Sequence, residues 1–122
     1  MRSFTVTNLT RARPVAARVF LADRWWLRLR GLMGRAPLRE GEGLMLMPCK
    51  AIHMVGMRYP IDVVFLDRDG GVVATYHRMK PGARSHWHQR AEIALELQAG
   101  TLETTDTRAG DALQWVPSPE AA

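Results

Sequence analysis

The apolar positions of this chain fall into short runs separated by turn residues. Phe4-Thr5-Val6-Thr7 and Pro14 to Leu21 carry β-branched and aromatic residues at strand spacing, with Asn8-Leu9-Thr10 as a turn between them. From Arg24 to about Met33 the period changes to that of a helix. Asp23 offers an N-cap, and Trp25, Trp26, Leu29, Leu32 and Met33 fall on one stripe at about 100° per residue. A stripe on so short a helix predicts tryptophans packed into a core rather than laid on a membrane surface. Gly31 and Gly34 end the helix, and Pro37 to Gly43 reads as a loop. Leu44 to Met47 is a short buried strand stopped at Pro48. Ile61 to Leu66 is apolar on both faces, as a central strand should be, and Val72 to Tyr76 returns from it after a turn at Asp67 to Gly71. Glu92 to Leu97 alternates charged and apolar residues, the pattern of a strand with one wet face. Gly100 leads into one helical turn at Thr101 to Thr105, and Ala112 to Val116 is a last strand closed by Pro117. These elements predict a mainly β (α+β) fold: a small single-domain β barrel or sandwich over residues 1–117. It has one N-terminal helix, a short second helix, and a frayed tail at 118–122.

Composition narrows the class. At 122 residues and 47% apolar, the chain reads as one soluble globular domain. No apolar run approaches the roughly 20 residues of a membrane span, and Met1 to Thr7 contains no apolar signal core, so the sequence reads as cytoplasmic. The lone Cys49 excludes an internal disulfide and reads as a small buried apolar residue. The net charge of +5 is unevenly spread. Residues 1–39 hold nine arginines and one acid, Asp23, whereas the remainder is mildly acidic. A basic face of this kind suits nucleic acid or anionic lipid. With no base-reading motif, a solvated arginine-rich face is the preferred reading, and no sequence-specific nucleic-acid partner is expected.

The chemistry concentrates in residues 52–67, which place His53, Arg58, Tyr59 and Asp62 within ten residues of the most apolar part of the chain. Asp62 alternates with Val64 and Leu66 and shares their strand face, where a bare carboxylate is costly and needs a partner. Arg58 and His53 are the nearest in sequence. The preferred function is a binding module for a small polar or anionic ligand. Arg58 grips the anion, Asp62 orients Arg58 or His53, Tyr59 closes one wall and Cys49 sits at the edge. One alternative is a hydrolase-like enzyme with His53 as base held by Asp62 and Cys49 as nucleophile. Another is a purely structural Arg58–Asp62 salt bridge. Nothing else in the chain names a reaction, so the reading leans away from an enzyme and calls for no cofactor. The methionines between Met45 and Met57 read as gap-filling core. His77, His86 and His88 read as exposed loop residues rather than metal ligands, and Asp67-Arg68-Asp69-Gly70 as a hairpin turn rather than a calcium loop.

Taken together, several blocks resemble a known family. They are Leu29-Arg30-Gly31-Leu32-Met33-Gly34, Gly41-Glu42-Gly43-Leu44, Pro48-Cys49, Ile52-His53, Gly56 to Asp67, Leu95-Glu96-Leu97-Gln98-Ala99-Gly100 and Gly110-Asp111. The combination is similar to the bacterial and archaeal domain of unknown function 192, over about residues 25 to 113. The resemblance implies a compact, mostly β domain with no agreed activity. Many relatives look exported or membrane-anchored, signals this sequence does not display. Of the four histidines, only His53 falls in a family block.

Overall fold

The computed structural model describes residues 2–22 and 37–119. Seven strands form one sheet: β1 (Ser3–Asn8), β2 (Arg13–Ala22), β3 (Glu42–Leu46), β4 (Ile61–Leu66), β5 (Val72–Met79), β6 (Ile93–Gln98) and β7 (Leu113–Pro117). Their order is β5-β4-β6-β3-β2-β1-β7, and every neighbouring pair is antiparallel except β2 and β3. A parallel pair needs a crossover, and the connection from Ala22 to Glu42 supplies it. The helix expected at Arg24 to Met33, with Trp25 and Trp26, lies in that connection and outside the described residues. Among the described residues the one helix is α1 (Thr101–Thr105), the single turn expected from sequence.

The sheet curls into a half-barrel rather than a closed barrel or a sandwich. Its two edges meet where Gly71 bridges Ala112 and the Val72 and Leu113 N–H groups donate to the Asp111 and Gly70 carbonyls, respectively. Gly70 stands at this junction with φ +92°, and a Cβ there would strike the Leu113 carbonyl oxygen. The fully expected hairpin turn leads into it, with Asp67 Oδ1 accepting from the Asp69 and Gly71 N–H groups.

Strand alternation divides the apolar residues between two faces. The inner face collects side chains from all seven strands, including Val6, Val19, Met45, Val64, Val72, Leu95 and Leu113, and α1 adds Leu102. The outer face collects Leu44, Leu46, Ile61, Val63, Phe65 and Ala94, covered by Ile52, Met54 and Ala91 from the loops. Fully burying one such side chain contributes roughly 2 kcal/mol. Met45 and Met54 are buried, and Met47 and Met57 pack partly buried against the two clusters, the gap-filling role expected of them.

Most strand ends shift by a residue from the sequence reading, and three differences have a visible cause or contact. β3 begins at Glu42, because Gly43 fits the narrow space between β2 and β6. β5 runs on to Met79 through a register shift at Asp62, where Arg78 takes φ +47°. Ser118, expected to fray, still donates its N–H to the Ser3 carbonyl.

Asp62 is completely buried at the inner-face end of β4. Its Oδ1 accepts the Arg78 N–H (2.8 Å), and Oδ2 accepts the N–H groups of Gly100 (3.1 Å) and Leu102 (2.8 Å). One carboxylate thereby caps α1, whose own N-cap is the left-handed Gly100 without a capping side chain, and holds the β5 irregularity. An amide at this position keeps one acceptor oxygen and turns an NH2 toward N–H donors. Asp62→Asn should therefore cost about 3 kcal/mol in urea unfolding, the penalty of stranding a buried donor. Arg58→Ala, at an exposed position, should stay within about 0.5 kcal/mol of wild type. Equal losses in the two variants would mean that Asp62 leans on Arg58 after all.

Candidate functional site

The sheet itself separates the residues expected to converge. Asp62 points to the inner face, whereas the segment carrying His53 and Arg58 lies over the outer face. Both Asp62 oxygens are occupied by backbone N–H groups, so Asp62 orients neither Arg58 nor His53, and the expected salt bridge is absent among the described residues. His53 and Arg58 are exposed, and the His53 backbone bridges to Arg84. Tyr59 is half-buried against the outer cluster. Cys49 is half-buried on the same cluster, with its thiol donating to the Ala51 carbonyl at 3.2 Å.

The other histidines do not gather either. His77 and His86 are exposed, whereas His88 turns inward. Its Nε2 lies 2.8 Å from the Tyr76 hydroxyl, and its ring stacks at a tilt on Phe65, with centroids 4.7 Å apart. Tyr76 Oη already accepts the His86 N–H at 3.0 Å, so its own proton is available for His88 Nε2. Burial first, and the nearby His86 second, push the His88 imidazole below its ordinary value, consistent with a neutral ring that accepts this bond. No three His, Cys, Asp or Glu side chains gather as metal ligands among the described residues.

The residue that sequence reasoning passed over is Glu96. Its alternation with Glu92 suggested a wet strand face, and Glu92 is indeed exposed, pairing with Lys50 at 3.4 Å. Glu96 is only 5% exposed. It sits on the outer face of β6, between Leu44 on β3 and Val63 on β4, beneath the loop-covered cluster. Its Oε1 has no hydrogen-bond partner among the described residues. Burial alone pushes its carboxyl up from 4.5 to about 7. The available signal was positional: Glu96 lies inside the Leu-Glu-Leu-Gln-Ala-Gly block of the resemblance, and its strand neighbours are apolar on both sides.

A cleft of about 280 Å³ opens at the end of β6, lined by Pro37, Leu38, Tyr59, Pro60, Ile61, Gln98 and Ala99; Glu96 lies behind Gln98 and is not itself in this lining. Gln98 pairs with Ile61 and Glu96 with Val63, so Glu96 stands one strand repeat inward of Gln98, about 7 Å along the same face. A larger cleft of about 580 Å³ lies beyond the end of β6, lined among others by Glu40, Arg78, Gln98, Thr101 and Glu103. Its charges are exposed, and Arg78 lies 3.7 Å from Glu103, so it contains no comparable unmet group.

The Glu96 carboxyl makes a definite claim on stability. Below its ordinary pKa it is neutral whether folded or unfolded. Between 4.5 and about 7 the unfolded chain gives up the proton while the folded chain keeps it, so rising pH favours unfolding. The penalty levels off above 7 at roughly 3 kcal/mol. The stability of Glu96→Gln relative to wild type should therefore rise by about that amount from pH 5 to pH 8 in parallel urea titrations. Curves that stay parallel would show that water reaches the carboxylate.

Comparison with known proteins agrees with this fold. Residues 6–115 match the family described as "Uncharacterized ACR", domain of unknown function 192. A "UPF0127 protein" of Thermococcus sibiricus is 29% identical over 128 residues, covering 94% of this chain and 82% of the relative. One from Pyrococcus furiosus is 28% identical, covering 88% and 95%. A crystal structure of a protein of unknown function from Novosphingobium aromaticivorans superimposes with TM-score 0.79 at 23% identity, over 93% of this chain and 84% of that one. A putative transcription regulator from Sinorhizobium meliloti gives 0.78 at 22% identity, over 93% and 92%. At these identities the two structures speak for the fold alone. With the family profile spanning nearly all of it, this half-barrel chain belongs to the domain of unknown function 192 family.

Proposed function

We propose that the domain is a binding module for a small polar ligand, held on the outer face of the sheet with Glu96 as its deepest contact. The observation that carries this reading is the buried, unpartnered Oε1 of Glu96. A buried polar atom without a partner costs about 1–3 kcal/mol, and a group left in that condition is a candidate for meeting its partner in a ligand. The cleft at the end of the same strand is small, apolar along Leu38, Pro60 and Ile61, and polar at Tyr59 and Gln98, so a ligand entering it would approach Glu96 past Gln98. A ligand that satisfies Glu96 must bring a hydrogen-bond donor, so an amine or a hydroxyl fits better than the anion the sequence suggested. None of Glu96, His53 and Arg58 lines the cleft, but Glu96 shares a strand face with its Gln98 wall, one strand repeat inward, whereas Asp62 lies on the other face.

A second reading rests on the same carboxyl. With its pKa raised to about 7, Glu96 is poised as a general acid or base for a substrate in the cleft. In that case it replaces His53 in the acid–base role, with no part for Asp62.

Thermal-shift measurements against primary amines, polyols and carboxylic acids, at pH 6 and 8, test the binding reading. An amine or polyol should raise the melting temperature of wild type, and Glu96→Gln should abolish that shift or cut it by tenfold in affinity, about 1.4 kcal/mol. If only carboxylic acids stabilise the protein, and Arg58→Ala removes the effect, the site lies at Arg58. A panel without any response, or a response that Glu96→Gln leaves intact, rejects Glu96 as the contact.

A further inference from the structure

The loops covering the outer face present a second surface, distinct from the Glu96 cleft. Residues 50–54 run antiparallel to residues 82–88. The Met54 N–H donates to Ala83 O (2.7 Å), the Ser85 N–H to Ile52 O (2.8 Å) and the His88 N–H to Lys50 O (2.8 Å), while His53 bridges Arg84. Ile52 is buried on the sheet side of this arm, and His53, Arg84 and His86 are exposed.

The arm and the segments around it are rich in basic residues. Residues 43–61 and 70–91 contain no Asp or Glu, yet they hold six Lys and Arg and all four histidines of the chain. Lys50 is engaged by Glu92, and Arg78 lies near Glu103. Arg58, Lys80, Arg84 and Arg90 are exposed and make no ion pair among the described residues. Uncompensated positive charge among the described residues therefore sits in and around this arm.

Within this arm Trp87 is 67% exposed, the highest value among the large apolar side chains described. Its indole N–H donates to Gln89 Oε1 at 2.8 Å. That bond satisfies the polar edge of the ring and leaves its apolar face to solvent, three residues from Arg84 and three from Arg90 in the chain.

We propose that this arm binds single-stranded nucleic acid, with a base stacked on Trp87 and phosphates held by Arg84 and Arg90. An exposed aromatic with unpaired cations close by in the chain supplies the two kinds of group that stacking and phosphate neutralisation require. The proposal favours a single strand over a duplex because a stacked ring needs an unpaired base. It favours nucleic acid over a bilayer because the exposed apolar side chains do not form one patch. Val55, 50% exposed, lies past the His53–Arg84 bridge, on the opposite side of it from Trp87. With only stacking and phosphate contacts, binding is tolerant of sequence.

Fluorescence anisotropy with a labelled oligothymidylate tests it. Binding should be measurable at about 50 mM salt and should weaken steeply by about 200 mM. Trp87→Ala should weaken it about tenfold, and Trp87→Phe should retain most of the affinity. Arg84→Gln with Arg90→Gln should reduce the slope of log affinity against log salt by about 1.4, the value for two lost phosphate contacts on a single strand. All these positions are exposed, so the melting temperature should not move in any variant. Failure to bind at the lower salt overturns the proposal. So does a Trp87→Ala protein that binds as well as wild type, since charge alone would then explain the affinity. A duplex of equal length bound as tightly, or phosphatidylserine vesicles that displace the oligonucleotide, would likewise overturn it.

Discussion

The carboxylate of Asp62 ties the irregular end of β5 to the start of α1, which β4 holds on either side of it. It accepts N–H groups from the irregular end of β5, from the left-handed Gly100 and from the first turn of α1. Leu102, which donates one of these bonds, is also the side chain with which α1 enters the inner core. A helix of one turn has little stability of its own, since nucleation is unfavourable. The buried carboxylate offsets this by satisfying the orphan donors at the helix start. The irregularity in β5 and the turn after β6 are thus held by the same group that lets the open side of the half-barrel be filled.

The opposite face is constrained in another way. Two loops pair with each other across it and are held by Lys50, whose ammonium donates to the Gln89 and Ala91 carbonyls at 2.9 and 2.7 Å. Tyr76 and His88 add a bonded pair packed on Phe65. Against so many satisfied polar groups, the unmet oxygen of Glu96 stands out, because no donor among the described residues reaches it. Stability would favour an apolar residue there. A carboxyl kept at that cost is the feature that gives the outer face its candidate role.

The two proposed surfaces share this face but differ in what they could recognise. The cleft at the end of β6 is small, and a ligand that reached Glu96 from it would have to bring a donor. The arm above is broad, basic and aromatic, and demands an extended anion. They depend on different residues, so they can be tested and rejected separately. Membership of an uncharacterised family assigns neither role.

Much of the fold was legible in the sequence because strand alternation and turn residues are local. The central strand Ile61–Leu66, the hairpin at Asp67, the helical turn at Thr101 and the last strand all follow from neighbours a few residues apart. The need of Asp62 for partners was legible too, because an apolar face around a carboxylate is visible in the pattern Asp62, Val64, Leu66. Which partners it takes was not. Sequence proximity pointed to Arg58 and His53, but the turn before β4 carries them to the outer face, while the chain returns 40 residues later to present the Leu102 N–H. The same limit hid Glu96: alternation correctly put it opposite Leu95 and Leu97, but only the covering loops decided whether that face met water or a core. Periodicity fixes the face a side chain occupies, whereas its surroundings are set by segments distant in sequence, and only tertiary packing brings those together.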